Sequence, residues 1–323
     1  MKSVTIGKND AGQRLDKFLS KSFHNLPASI MYKHIRTKDI KINGKRCEIS
    51  TRLREGDIVS LYVKDEFLEE KAPVFDFMTS SKELDIVYED SHLLLVNKKA
   101  GLLVHPDEKD YRDNLIFRIQ RYLYEKGSYD PRSEASFAPA LVNRIDRNTS
   151  GIVIAAKTAA ALRILNEKLK NREIHKYYLC IVHGILSQKE NTLTGYLVKN
   201  EKQNRVYVED SLRPGARTIV TRYHVLEEKN TLSLLEIELL TGRTHQIRAH
   251  LASIGHPLLG DGKYGTNAIN KGTGFHQQAL CSYKLRFAFT TPAAELDYLN
   301  GMEFQLADVP FVEAFRKGIS HEK

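Results

Sequence analysis

Apolar residues recur along this chain with changing periods, and the changes divide it into regions. In residues 13–23, Leu15, Phe18, Leu19 and Phe23 fall on one helical stripe. Pro27 and Ser29 suit the start of a second helix, which Ile30 and Ile35 continue to about Lys38. Ile40 and Ile42 then alternate with polar neighbours ahead of Asn43-Gly44, a pair that favours a two-residue hairpin turn. Residues 57–63 read as a further strand. Two short helices and a small sheet would form a compact α+β module over residues 1–63. Residues 64–82 are charged, then mixed, and end in Thr79-Ser80-Ser81. They are the linker candidate, with an arm packed on a neighbouring element as the alternative.

Beyond residue 83 the runs lengthen. Strands are predicted at 84–88, 93–97, 151–156, 177–183, 219–225 and 232–240, and helices at 115–125, 159–170 and 245–254. Strands and helices do not alternate regularly. An α+β fold with a mixed, largely antiparallel sheet is therefore expected over residues 83–323, rather than a doubly wound one.

Composition narrows the class. With 323 residues, 41% of them hydrophobic, the chain can bury a sizeable core. No apolar run approaches the roughly 20 residues of a membrane helix, and the first ten residues lack the apolar core of a signal peptide. Cys47, Cys180 and Cys281 are too few and too scattered for a disulfide framework or a zinc cluster, so a cytoplasmic protein is expected. The net charge is +9, and its location matters more than its size. The first 60 residues hold 13 Lys and Arg against 6 Asp and Glu, which leaves only +2 for the rest of the chain. Clustered basic charge attracts polyphosphate, so charge alone leaves two readings open, a nucleic-acid partner and a merely solvated basic surface.

Four segments carry candidate chemistry. In 143–151, Asp146 lies between Arg144 and Arg147 ahead of Thr149-Ser150-Gly151 and an apolar strand. Inward-pointing arginines would favour an ionised carboxylate, though the same residue types also build a plain turn. In 240–251, Gly242 suits a tight turn and Thr244 a helix N-cap. Arg243 and Arg248 have the chemistry to hold phosphate or pair with a carboxylate. A metal set of His245, His250 and His256 is disfavoured, because His245 and His250 are five apart with no acidic ligand nearby. Residues 256–265, with three glycines and a proline, read as a shaped turn. In 176–184, strand alternation puts Tyr178, Cys180 and Val182 on one face and Tyr177, Leu179 and Ile181 on the other. A tyrosine there suits core packing or stacking on a base.

Taken in order, these segments resemble the RluA-type RNA pseudouridine synthases. Residues 143–151 are similar to the family's His-Arg-Leu-Asp-x-x-Thr-Ser-Gly motif, and 239–251 to Thr-Gly-Arg-Thr-His-Gln-Ile-Arg-x-His-Leu. Residues 256–265, 176–184 and 84–106 resemble the accompanying stretches, and 13–63 resembles an S4-type RNA-binding domain. Asn143 stands where the family usually has His, Lys99 where it has Pro, and Thr37-Lys38-Asp39 where a Gly turn is common.

The resemblance implies an isomerase. Uracil leaves the ribose at N1, turns, and is rejoined through C5, with no cofactor and no metal. It assigns Asp146 as the catalytic carboxylate, Arg248 as its ion-pair partner and Tyr178 as the ring stacked on the base. Arg144, Arg147, Thr149, Arg243, His245 and Gln246 are assigned to substrate binding, with Arg144 occupying the space the displaced nucleotide leaves. The implied partner is RNA, with large-subunit ribosomal RNA favoured and transfer RNA the alternative. No membrane and no obligate protein partner are expected, and the chain is expected to act as a monomer. Two other classes compete. One is a non-catalytic RNA-binding ribosome-assembly factor, for which Asn143 is the hint. The other is a carboxylate hydrolase, which needs a second acid such as Glu236, Glu238 or Asp261.

Overall fold

The computed structural model describes residues 1–68, 75–107 and 111–318. The N-terminal part runs β1 (Lys2–Thr5), α1 (Leu15–Ser22), α2 (Ala28–Arg36), β2 (Ile40–Ile42), β3 (Lys45–Arg46) and β4 (Ile58–Leu61). Its strands form their own sheet in the order β1-β4-β2-β3. Asn43 and Gly44 both take positive φ, 51° and 74°, so β2 and β3 are joined by the tight turn that this pair favours. Phe18, Leu19, Met31, Ile40 and Val59 bury a core separate from the rest, and that core extends to Leu68. Lys38 adopts φ 69°, taking at a side-chain cost the left-handed conformation that glycine commonly supplies.

This part is docked on the remainder through polar side chains. Asn9 donates to Glu134 at 2.8 Å and accepts from the Ala159 N–H at 3.2 Å. Gln13 donates to Ser136 at 2.8 Å, and Ser136 in turn donates to Asp10. Of the expected linker, residues 69–74 lie outside the described residues. The described parts hold single turns at Asp65–Phe67 and Asp76–Thr79. Phe75 and Phe77 pack on Tyr124, so the second of these behaves as a packed arm.

The larger part runs β5 (Ile86–Glu89), β6 (Leu93–Lys98), α3 (Leu115–Glu125), β7 (Ala140–Leu141), β8 (Ser150–Ala156), α4 (Ala159–Lys170), β9 (Ile174–His183) and β10 (Glu190–Asn200). It continues with β11 (Arg205–Glu209), β12 (Arg217–Lys229), β13 (Leu232–Leu239), α5 (Gln246–Ser253), α6 (Asn267–Asn270), β14 (Leu280–Phe287), β15 (Glu303–Gln305) and α7 (Pro310–Lys317). The sheet order is β11-β10-β12-β13-β9-β14-β8-β6-β5, with β15 on β14 and β7 on β8. Among the described strand pairings only β14–β8 is parallel, so the sheet is mixed and largely antiparallel. Asn114 and Thr158 start α3 and α4 by accepting the Phe117 and Ala161 N–H groups. Among the described residues no helix is long and apolar enough to cross a membrane.

The two sheet faces bury different cores. Tyr178, Cys180 and Val182 point with Ile237, Ile247 and Leu251 to the face covered by α3 and α5. Leu179 and Ile181 point the other way, to Phe315 and Val312 of α7. Strands β7, β10, β11, β14 and β15, missing from the sequence expectations, complete this sheet. β14 is buried on both faces and carries no alternation to find.

Candidate active site

The loop before β8 carries Asp146. Its chain reversal is closed by the Thr149 N–H donating to the Asp146 carbonyl at 3.1 Å. Buried Lys98 ties the same loop down by donating to the carbonyls of Arg147, Lys99 and Leu102 at 2.8–2.9 Å. Burial lowers its ammonium pKa to about 7. Asn143 accepts the Ile154 N–H at 2.8 Å, so this residue fastens the loop to β8. Lys99 is exposed, and its carbonyl serves Lys98. Gly151 sits at φ 115° against β14, where a Cβ would come within 2.2 Å of the Ser282 carbonyl oxygen.

Opposite this loop, α5 presents Arg248. Its Nη1 donates to Asp146 Oδ2 at 2.9 Å. Its Nε and Nη2 donate to Asp261 at 2.7 and 3.0 Å. The Arg248 side chain is 9% exposed, that of Asp261 is fully buried, and that of Asp146 is 25% exposed. Burial works against the guanidinium charge, but the two carboxylates outweigh it and raise the Arg248 pKa above its ordinary value. The Asp146 carboxylate is therefore held ready and still reachable from the cleft.

That cleft, of about 360 Å³, is lined by Asp146, Tyr178, Arg248, Arg144, Thr149, Arg243, His245 and Gln246. These are eight of the nine site residues read from the sequence, and they come from three separate segments. Tyr178 forms buried wall, and burial, with the Asp146 charge adding, pushes its phenol up to about 12, so it stays protonated at neutral pH. Arg144 and Arg243 are exposed at the rim.

Two of the assigned residues are placed differently from the rest. Arg147 lies outside the cleft lining, and its Nε donates to the Gly101 carbonyl at 3.0 Å. Gln246 is 2% exposed and has no hydrogen-bonding capacity left for a substrate. It accepts from Thr241 Oγ1 and the Arg243 N–H, and donates to the Val220 carbonyl and Thr221 Oγ1. The expected Thr244 N-cap is also absent. The residue before α5 is His245, in the left-handed region at φ 54° with no side-chain cap bond, and Gln246 organises the turn instead.

Sequence reasoning missed Asp261, Tyr264, Lys176 and His105 as parts of the site. In the sequence Asp261 stands only as part of a turn or as a distant second acid. It does build the turn, accepting the Lys263 and Tyr264 N–H groups, while clamping Arg248. Lys176 and His105 line the cleft, and burial lowers the pKa of both. The other candidate acids are engaged elsewhere. Glu236 binds Tyr283 and Lys284, and Glu238 binds His175 and Arg222. The three histidines of the metal reading diverge: His245 faces Tyr264, His250 Thr221, and His256 the His183 carbonyl.

Comparison with known proteins agrees with this architecture. Residues 92–253 match the family described as RNA pseudouridylate synthase, and residues 13–59 match the S4 domain. A ribosomal large subunit pseudouridine synthase C of Vibrio cholerae is 34% identical over 300 residues, covering 90% of each chain. An uncharacterised RNA pseudouridine synthase of Bacillus subtilis, YlyB, is 29% identical over 97% of this chain and 98% of its own. Two solved structures share the fold. Human RNA pseudouridylate synthase domain containing 4 has a TM-score of 0.57 at 20% identity, covering 72% of this chain and 92% of its own. Human RNA pseudouridylate synthase domain containing 1 has a TM-score of 0.52 at 23% identity, covering 75% and 98%. On the family match and the similarity along nine-tenths of the Vibrio cholerae protein, the chain belongs to the RNA pseudouridylate synthase family.

Proposed function

We propose that this chain converts uridine to pseudouridine in large-subunit ribosomal RNA, with Asp146 as the reacting carboxylate. The observation that carries the assignment of Asp146 is its 2.9 Å pairing with Arg248 in a cleft walled by Tyr178. The ribosomal target is supported by the name of the Vibrio cholerae relative and by the S4 match. Transfer RNA is the other substrate to test.

The target base must leave its stack, at a cost of a few kcal/mol. The Tyr178 ring offers the extruded uracil a flat apolar wall, and Arg144 at the rim can fill the gap left in the RNA. The N1–C1′ bond then breaks, the base turns, and C5 bonds to C1′. N1 ends with a proton, and C5 has lost its own. Asp146 can begin by adding to C6, by attacking C1′ or by removing the C2′ proton, and Arg248 stabilises the same carboxylate in each case. We assign residues 1–63 to phosphate contacts that set affinity and register, residues 64–82 to the connection and residues 83–323 to catalysis. We read the chain as acting as a monomer.

The test is a pseudouridine map of total RNA from cells carrying only Asp146→Asn. Loss of modification at discrete uridines, with RNA binding retained, is expected. A map identical to that of cells with the unaltered protein overturns the assignment, and the identity of the unmodified RNA decides between ribosomal and transfer RNA.

A further inference from the structure

We infer that Tyr264 and His245 form an arm that aims a second donor at the Asp146 oxygen already held by Arg248, leaving Oδ1 as the oxygen that meets the substrate. This rests on Asp146 being the reacting group.

His245 occupies a left-handed conformation, φ 54° and ψ 18°, which a non-glycine residue keeps only where its surroundings hold it. Its ring stands edge-on to Tyr264, with centroids 5.7 Å apart and planes at 76°. Its Nδ1 is 3.0 Å from the Tyr264 hydroxyl, and its Nε2 is 3.8 Å from Asp146 Oδ2. The Tyr264 ring is itself held between two guanidinium groups, Arg248 at 5.2 Å and Arg205 at 5.0 Å.

The direction of these hydrogen bonds follows from one donor that has no choice. The backbone N–H of Val206 on β11 donates to the Tyr264 hydroxyl oxygen at 3.0 Å. The phenolic proton then needs an acceptor, and among the described residues His245 Nδ1 is the one in place. With Nδ1 accepting, the imidazole proton is on Nε2, aimed at Asp146 Oδ2. The charges facing the ring are Asp146 and Asp261, which favour protonation, and Arg248 and Lys263, which oppose it. Burial is the largest influence and lowers the pKa, so the ring is a neutral donor near pH 7. Arg248 and His245 thus converge on Oδ2, while Oδ1 has no hydrogen-bond partner among the described residues. A separation of 3.8 Å exceeds a formed hydrogen bond, and such contacts commonly tighten only in the substrate complex.

The first test is nitrogen-15 NMR of the full chain labelled at histidine, with the His245 signal assigned by its loss in His245→Gln. A neutral ring with bare Nδ1 and N–H on Nε2 at pH 7 is expected. The opposite tautomer, or an imidazolium, overturns the proposal. The second test is single-turnover pseudouridine formation on a large-subunit ribosomal RNA transcript. Tyr264→Phe keeps the ring between its guanidinium neighbours and should lower the rate about tenfold at unchanged RNA Kd. It should also add a rate change on the acid side of the pH profile, as the freed Nδ1 takes up a proton. His245→Gln, which keeps an N–H near the Nε2 position, should retain more activity than His245→Ala. An unaltered rate and pH profile in Tyr264→Phe overturns the arm. Turnover by Asp146→Asn would overturn the functional assignment instead, and the tautomer measurement does not depend on turnover.

Discussion

Asp261 grips Arg248 along the guanidinium edge turned away from Asp146, with both of its oxygens engaged, at 2.7 and 3.0 Å. The planar fork of arginine is therefore shared by two carboxylates. One is fully buried and fixes it, and the other is partly exposed and uses it. A lysine cannot make this bridge.

Asp261→Asn should therefore damage both folding and catalysis. Breaking one side of a buried ion pair costs about 3–5 kcal/mol, read as a lower denaturant midpoint. The freed arginine should also slow single-turnover pseudouridine formation by about tenfold or more.

The same pair predicts a pH dependence. Burial pushes the Asp261 pKa up, but Arg248 and the N–H groups of Lys263 and Tyr264 outweigh it, and the net value lies below the ordinary 3.8. A carboxyl depressed by folding contributes stability above its unfolded pKa and loses it as pH falls through the folded value. Stability of the natural protein should therefore fall below about pH 4, and Asp261→Asn should show a shallower fall there in urea titrations.

Gln246→Ala should act through the fold. Truncation strands buried donors and acceptors of the 220–221 and 241–243 segments, at about 1–3 kcal/mol each. A lowered melting temperature with little change in RNA Kd is expected. A weakened Kd without destabilisation would show Gln246 to be a substrate contact after all.

Gly151→Ala should be far more damaging than Gly44→Ala. A Cβ at Gly151 would overlap the Ser282 carbonyl, whereas at Gly44 it meets nothing within 4 Å. Clash at the one parallel pairing should cost on the order of 4 kcal/mol or more. Gly44→Ala should cost only about 1–2 kcal/mol, for its left-handed backbone. Circular dichroism during urea unfolding separates the two.

Removing residues 1–63 should weaken RNA binding and flatten its salt dependence. The slope of log K against log salt should fall by about 0.7–0.9 for each phosphate that is no longer neutralised. An unchanged slope would show that the basic N-terminal part does not track the RNA backbone.

Much of the secondary structure was legible because it rests on near neighbours. The helices at Leu115–Glu125 and Ala159–Lys170 have the limits that periodicity set, with Asn114 and Thr158 as caps. The Asn43-Gly44 turn and the facing of Tyr178, Cys180 and Val182 need only local backbone preference and strand alternation. The family motifs likewise pointed to Asp146 and Arg248. Where signals were local but ambiguous, the structure placed the residues differently. Thr244 makes no cap, and Gln246 closes the turn instead, because whether a polar side chain faces a cleft or closes a turn depends on what packs against it.

The sequence by itself therefore determined the local elements, the basic N-terminal part and the choice of Asp146 as the candidate carboxylate. Only the tertiary structure decided how that carboxylate is held. Asp146 and Arg248 are 102 residues apart, and the sheet brings them to 2.9 Å. Asp261 and Tyr264, in what looked like a plain turn, then fold back against the same guanidinium. Side-chain periodicity records which face is buried, but it carries no information about which distant face will meet it.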